Sequence, residues 1–331
     1  MKPVLLPPNQ PPRFYRGGSA IAAFRGLAAG RDDVPEDWVG SATTLFGEGE
    51  RGLSRLPDGR FLRDAIAADP ETFVGPEHAR RFGAQPELLV KLLHAGERLP
   101  VHAHPSRAWS RRHLACPWGK TEAWVVVGEP GTVHLGFARD VDAEELARWV
   151  DTQDADALLG ALHALPVQDG DAVLVPAGMP HAIGEGLLVV ELQEPSDLSV
   201  LMEWTGFDVD GTRDGHLGIG FEQALTAVDR SGIGRDRLDA LRRRRGAERD
   251  GLVHPVGADP YFRCERLAAP PAGALDPGLA VLVGIDGVVE LRFDDGEIEV
   301  RRGETWLVPY AAGAGTVDGS GELLRCRPPA A

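Results

Sequence analysis

Cysteine is scarce: Cys116, Cys264 and Cys326 are the only three in 331 residues, widely separated and odd in number. No disulfide framework or Cys-rich zinc knuckle follows, and a reducing cytoplasm is the expected compartment. Long apolar runs are missing as well. Leu187–Leu192 and Ala172–Val175 are strand-sized, against the roughly 20 residues that a membrane helix needs. The opening MKPVLLPPNQPP carries one Lys and a broken apolar stretch, not the continuous one of a signal peptide. Basic residues are in deficit, 35 against 50 acidic ones, for a formal charge of −15. A nucleic-acid coat needs a basic face and is not expected. A small anionic ligand stays open, because a few cations in a cleft can override the mean field. Gly-rich phosphate loops, nucleophile elbows and heptad arrays are absent.

What the chain has in quantity is punctuation. Forty-one Gly and twenty-six Pro separate short segments rich in Val, Leu and Ile, which predicts a mainly β protein. Helices are predicted at Phe61–Ala68, Pro76–Phe82, Asp142–Leu162 (one or two), Phe221–Val228 and Arg235–Arg245. A strand–turn–strand grammar occurs twice, near Leu88–Trp204 and near Phe262–Cys326. Each copy has a Gly, five residues and a Pro, Gly170 to Pro176 and Gly303 to Pro309. A repeated barrel unit is the economical reading. The expected division is residues 1–232, a metal-binding barrel with helical insertions; 233–254, a helical linker; and 255–331, a degenerate second barrel, which contains no His.

The first copy carries the chemistry. In Gly96-Glu-Arg-Leu-Pro-Val-His102-Ala-His104, two His stand at i and i+2, on one face of a strand. Glu122 opens the apolar stretch Ala123–Val127, and Gly170-Asp-Ala-Val-Leu-Val-Pro176-Ala-Gly178-Met-Pro-His181 places a third His just after a tight turn. A single His would be read as a core or surface residue. Three imidazoles and a carboxylate in two such blocks make a divalent-metal shell, suited to Zn, Fe, Mn, Co or Ni.

The two blocks match the cupin motifs, Gly-x5-His-x-His followed by Glu, and Gly-x5-Pro-x-Gly-x2-His, with an insertion (Ser106–Lys120) before the Glu. The resemblance narrows. Leu88-Leu-Val-Lys91-Leu-Leu, His104-Pro105, Gly119-Lys120-Thr-Glu122-Ala-Trp124, His181-Ala-Ile-Gly, Glu191-Leu-Gln193-Glu-Pro-Ser196-Asp197 and Glu203-Trp204 resemble the class I mannose-6-phosphate isomerases. The resemblance implies two cupin (jelly-roll) barrels, one zinc, and interconversion of an aldose phosphate with a ketose phosphate. It also implies His102, His104, Glu122 and His181 as metal ligands.

Three positions depart from the family pattern. His102 stands where the family usually has Gln, Pro100 replaces a Ser near the sugar phosphate, and Leu201 replaces the Arg of Ser-Asp-x-x-x-Arg. Arg grips a phosphate through paired charged hydrogen bonds and Leu cannot, so phosphate recognition is expected to be weakened or gone. For the chemistry, Lys120 is expected to stabilise an enediolate and Glu191 to act as base or to orient one. The default readings are a solvated Lys and an edge-strand Glu. Asp197 is a catalytic-site candidate or the cap of a turn with Ser196. Lys91 and Ser196 are candidates for substrate binding. His94 and His134 are expected in the core, and His113 on the surface.

The expected ligand is a sugar or sugar phosphate, with no nucleic acid or membrane partner; the oligomeric state is left open. The leading reading is an aldose–ketose isomerase. A cupin Fe/Mn oxidase or dioxygenase, or a sugar-binding regulator without catalysis, are the alternatives.

Overall fold

The computed structural model describes residues 1–28, 30–246, 251–268 and 273–331. It is mainly β, and every ladder between its strands is antiparallel. A six-stranded sheet runs in the order Arg242–Arg243, Ala172–Val175, Glu122–Val126, Leu188–Gln193, Leu89–His94 and Glu36–Val39. A five-stranded sheet follows Val200–Leu201, His102–Ala103, His181–Ile183, Gly131–Phe137 and Leu162–Val167. The two sheets share one apolar core, in which Trp124 and Val190 of the first meet Val133 and Leu135 of the second. This is the cupin arrangement expected for the first barrel. A third, eight-stranded sheet contains the long strands Ala280–Phe293 and Gly315–Arg327 and has its own apolar cluster.

The repeated Gly-x5-Pro grammar has a structural basis. Gly170 and Gly303 both take positive φ at the turn, and the strands Ala172–Val175 and Thr305–Val308 fill the interval before each Pro. Strand alternation then decides what faces inward. On the six-stranded sheet Trp38 lies opposite Lys91, Lys91 opposite Glu191, and Glu191 opposite Trp124. One face of four neighbouring strands therefore presents a row of large polar or aromatic side chains.

Helices form at Leu62–Ala68, Pro76–Phe82, Ala143–Thr152 and Ala155–Ala161 as predicted. Asp142 and Asp154 cap the latter two by accepting from Glu145 N–H and Ala157 N–H. Near residue 221 the helix is shorter than expected, Phe221–Ala224, and tightens into a 3-10 turn at Leu225–Ala227. Short helices at Ser19–Arg25, Pro70–Val74 and Arg107–His113 escaped the sequence reading.

The expected helical linker needs correction. Its helix covers only Arg235–Ala240. Arg242–Arg243 then pairs with Ala172–Val175 of the first barrel, and Gly251–Leu252 pairs with Arg263–Ala268 of the third sheet. The Arg run is thus an added strand, because the edge of Ala172–Val175 offers backbone partners that a further helical turn would forgo. Residues 247–250 of that linker lie outside the described residues. At the other end, Val4–Leu5 pairs with Trp306 and Leu307 of the third sheet, so the N-terminal arm crosses to the C-terminal barrel before the chain enters the first. No helix among the described residues is long and apolar enough to cross a membrane.

Candidate metal centre and active-site cavity

His102 and His181 lie directly opposite each other on neighbouring strands, and His104 follows two residues after His102. Their ligand nitrogens all fall within 4.8 Å of one another, and all three residues are buried. Gly178 shapes the approach. Its φ of +89° is unfavourable to a side chain, and its N–H donates to the His104 carbonyl at 2.6 Å. The turn that delivers His181 is therefore tied to the strand that carries the other two.

The tautomers follow from the partners. Nδ1 of His102 faces the Pro100 carbonyl at 2.8 Å, Nδ1 of His104 that of Leu198 at 2.7 Å, and Nδ1 of His181 that of Met179 at 2.8 Å. A carbonyl only accepts, so each Nδ1 carries the proton and each Nε2 presents a lone pair. Burial and neighbouring cationic groups hold His102 well below the usual imidazole value, and burial together with Lys120 holds His104 down to about 3. The His102 and His104 rings are thus neutral.

Glu122 completes the cluster. Its Oε2 lies 3.1 Å from His104 Nε2 and its Oε1 3.3 Å from His181 Nε2. Two lone-pair nitrogens against a carboxylate repel one another unless a cation lies among them. Lys120 supplies one such charge, with Nζ 2.9 Å from both His104 Nε2 and Glu122 Oε2. His181 Nε2 has no hydrogen-bond donor. The buried group His102, His104 and His181 therefore fits a metal ion. Trp124 Nε1 donates to Glu122 Oε1 at 3.1 Å, and Glu194 accepts from Thr121 N–H at 2.9 Å, so the Glu122 strand is held from both sides. Burial opposes charge on Glu122, but Lys120 and His104 keep its carboxyl well below the usual range.

A cavity of about 490 Å³, counted with its open mouth, lies over this cluster. Lys91, Lys120, Glu191 and Asp197 line it with His102, His104 and Glu122. Glu191 is 2% exposed and sits in the middle of a sheet, so its default reading as an edge residue does not hold. Burial raises its pKa, against the pull of Lys91. Lys91 is 1% exposed, 3.5 Å from Glu191 and 3.6 Å from Glu36. Ser196 is not among the lining residues, and its hydroxyl donates to the Gly119 carbonyl at 2.6 Å. Pro100 and Leu201, two of the departures from the family pattern, both line the cavity. Leu201 stands directly opposite His102. His113 is half-buried away from the cavity, stacked near Trp109. His94 is buried and accepts from Gly18 N–H, whereas His134 is only half-buried, short of the core position expected.

Arg13, Tyr15 and Glu36 also line the cavity, and the sequence reading missed all three. Tyr15 Oη and Trp38 Nε1 donate to Glu36, and Arg13 grips Asp197 through both terminal nitrogens, at 3.1 and 3.4 Å. The arm reaches the site because Gly17 permits it: a Cβ there would come within 2.0 Å of the His94 carbonyl oxygen. The signal in the sequence was Arg16-Gly-Gly18, a glycine pair just after the lining residues.

No family model matches the chain. The mannose-6-phosphate isomerase of Streptococcus mutans is 35% identical over 169 residues, about half of each chain (50% and 51%). The mannose-6-phosphate isomerase ManA of Bacillus subtilis is 26% identical over 338 residues, covering 98% of both chains. The chain is thus similar to mannose-6-phosphate isomerases over nearly its whole length. The fold agrees. A mannose 6-phosphate isomerase structure from Bacillus subtilis superposes with a TM-score of 0.75 at 22% identity, covering 99% of this chain and 100% of that one. One from Salmonella typhimurium superposes at 0.73 and 16%, covering both chains fully.

Proposed function

We propose that this protein is a metal-dependent aldose–ketose isomerase acting on mannose 6-phosphate and fructose 6-phosphate or a closely related, possibly unphosphorylated sugar pair. One observation carries the reading: three clustered imidazoles and the Glu122 carboxylate stand beside Lys120 and Glu191 at a single cavity. His102, His104, Glu122 and His181 would hold one divalent ion, with zinc the expected metal. When bound, the ion supplies Lewis acidity to sugar oxygens.

The protein's own groups account for the proton transfers. Glu191, as base, takes the proton from C2 of the aldose; the C2–H electron pair forms the C1–C2 double bond while the carbonyl pair moves to O1. The same carboxyl then returns the proton to C1 as the ketone forms at C2, and the O2 proton passes to O1. Lys120, 3.9 Å from Glu191, is placed to donate hydrogen bonds to the enediolate oxygens. Burial favours a Glu191 carboxyl that accepts a proton readily. Lys91 holds Glu191 in position from the neighbouring strand. Asp197 and Arg13 close the cavity at its outer end.

The test is turnover by zinc-loaded protein in deuterated water. Aldose–ketose conversion with deuterium appearing at C1 or C2 supports the enediol route, and Glu191→Gln should lower kcat at least about a thousandfold. Oxygen consumption without isomerisation would sink the reading in favour of an oxygenase.

A further inference from the structure

The charges around the cavity point to the kind of sugar. Three cations line it, and each is already engaged. Lys91 lies between Glu36 and Glu191, at 3.6 and 3.5 Å. Lys120 sits against Glu122 and Glu191 at the floor. Arg13 is bound to Asp197 and lies 3.6 Å from Glu36. Four carboxylates, Glu36, Glu122, Glu191 and Asp197, share the same lining. A metal ion would release Lys120, but that lysine lies beside the metal cluster, where the reacting end of the sugar must sit. The far end of the substrate meets Arg13 and Asp197.

Outside that pair the entrance widens into a funnel lined by Arg51, Arg213, Glu48, Asp208, Asp210 and Asp214. Arg51 is paired with Glu48 at 3.2 Å and Arg213 with Asp214 at 2.7 Å, which leaves Asp208 and Asp210 in excess. A phosphate dianion entering here meets a net negative field, and each arginine in the lining of this funnel is already paired. Sugar hydroxyls need neither. A carboxylate accepts from them and a guanidinium donates to them, so the Arg13–Asp197 pair can satisfy neighbouring hydroxyls in both directions. Leu99, Pro100, Leu201 and Phe14 add apolar wall around the same space, suited to the C–H face of a sugar ring.

We propose that the substrate is an uncharged aldose, with Arg13 and Asp197 binding its distal hydroxyls where a phosphate-specific site would hold a phosphate. The proposal rests on the isomerase reading above. Asp197 is half-buried and accepts from Arg13 and from Phe46 N–H, so it also sets the orientation in which Arg13 meets the sugar.

The experiment compares zinc-loaded protein on free mannose and fructose with the same sugars as 6-phosphates. The expected result is kcat/KM at least tenfold higher for the free sugars. In Asp197→Asn, which removes a negative charge and releases the guanidinium, that ratio should move at least tenfold toward the phosphates. Leu201→Arg should move it in the same direction, mainly through KM. Equal or better use of the 6-phosphates by the unaltered protein overturns the proposal while leaving the isomerase reading intact. If no sugar is turned over, the isomerase reading fails separately, and calorimetry with mannitol and mannitol 1-phosphate decides the charge question. Tighter binding of the neutral polyol supports the proposal, and tighter binding of the phosphate overturns it.

Discussion

The two barrels of this chain are built from similar strand grammar and have opposite interiors. The C-terminal one packs Leu282, Val289, Leu291, Val300, Val317 and Leu323 into an apolar cluster, and its buried Arg325 and Arg327 both pair with the exposed Asp276. The N-terminal one places Lys91, Lys120, Glu122, Glu191 and three His on buried strand faces. Burying such groups costs several kcal/mol per ion unless each is paired. The first barrel meets that cost with partners: Glu36 alone receives Tyr15, Trp38, Arg13 and Lys91. The contrast teaches that the fold tolerates a charged interior only as a complete network, while the apolar barrel needs no such completeness.

Removing a metal ligand should have the largest effect on function. His104→Ala is expected to lower kcat/KM at least about a thousandfold and to lower bound metal by elemental analysis. Its circular dichroism should remain that of the parent. Full activity and metal content in that variant would remove the first barrel's claim to the site.

The stability of the two interiors can be set against each other directly. Lys91→Met leaves Glu36 and Glu191 buried without their shared cation and should cost about 3–5 kcal/mol in urea unfolding. Adding Glu36→Gln and Glu191→Gln should recover a large part of that loss, because the uncompensated charges go as well. Leu291→Ala in the second barrel should cost about 2–5 kcal/mol by leaving a cavity, with kcat/KM of the folded fraction unchanged. If Lys91→Met were as mild as a surface substitution, the view of the network as an all-or-none unit would be wrong.

The smallest expected effect is one of pH. Burial works against charge on Glu36, but Arg13, Lys91 and the hydrogen bonds from Tyr15 and Trp38 bring its pKa from 4.5 down to about 2. A depressed carboxylate contributes stability that is fully present above the unfolded value and lost as pH falls through the folded one. The contribution should therefore fade between pH 4.5 and about 2. Glu36→Gln should lack this component, so the difference in urea midpoint between parent and variant should shrink with falling pH. A difference that stays constant down to the acid limit would assign the stability to other groups.

Much of the site was legible because strand period and motif spacing act locally. His102 and His104 share a face by alternation alone, and Gly178 before His181 marks the turn that brings in the third ring. Lys120 precedes Glu122 by two residues and faces the same way. What was not legible depends on contacts far apart in sequence. Glu36 acquires its role only by pairing of its strand with Leu89–His94, and Arg13 by reaching Asp197, 184 residues later. Ser196 looked like a ligand because it sits in a motif, yet its hydroxyl is taken by Gly119. The linker failed as a helix for a similar reason: the Arg run has good helical propensity, but a distant strand edge offered it a better partner.

The arm that begins the chain has a consequence for biogenesis. Val4 and Leu5 pair with Leu307 and Trp306, so this arm finds its strand partner only after the much later residues of the second barrel have been made. A nascent chain can form the first barrel's sheets while its opening segment is still loose, and Arg13 follows that segment closely. The mouth of the cavity is therefore finished only after the strand that holds Trp306 and Leu307 has been made. The C-terminal barrel thereby governs when the cavity of the other is complete.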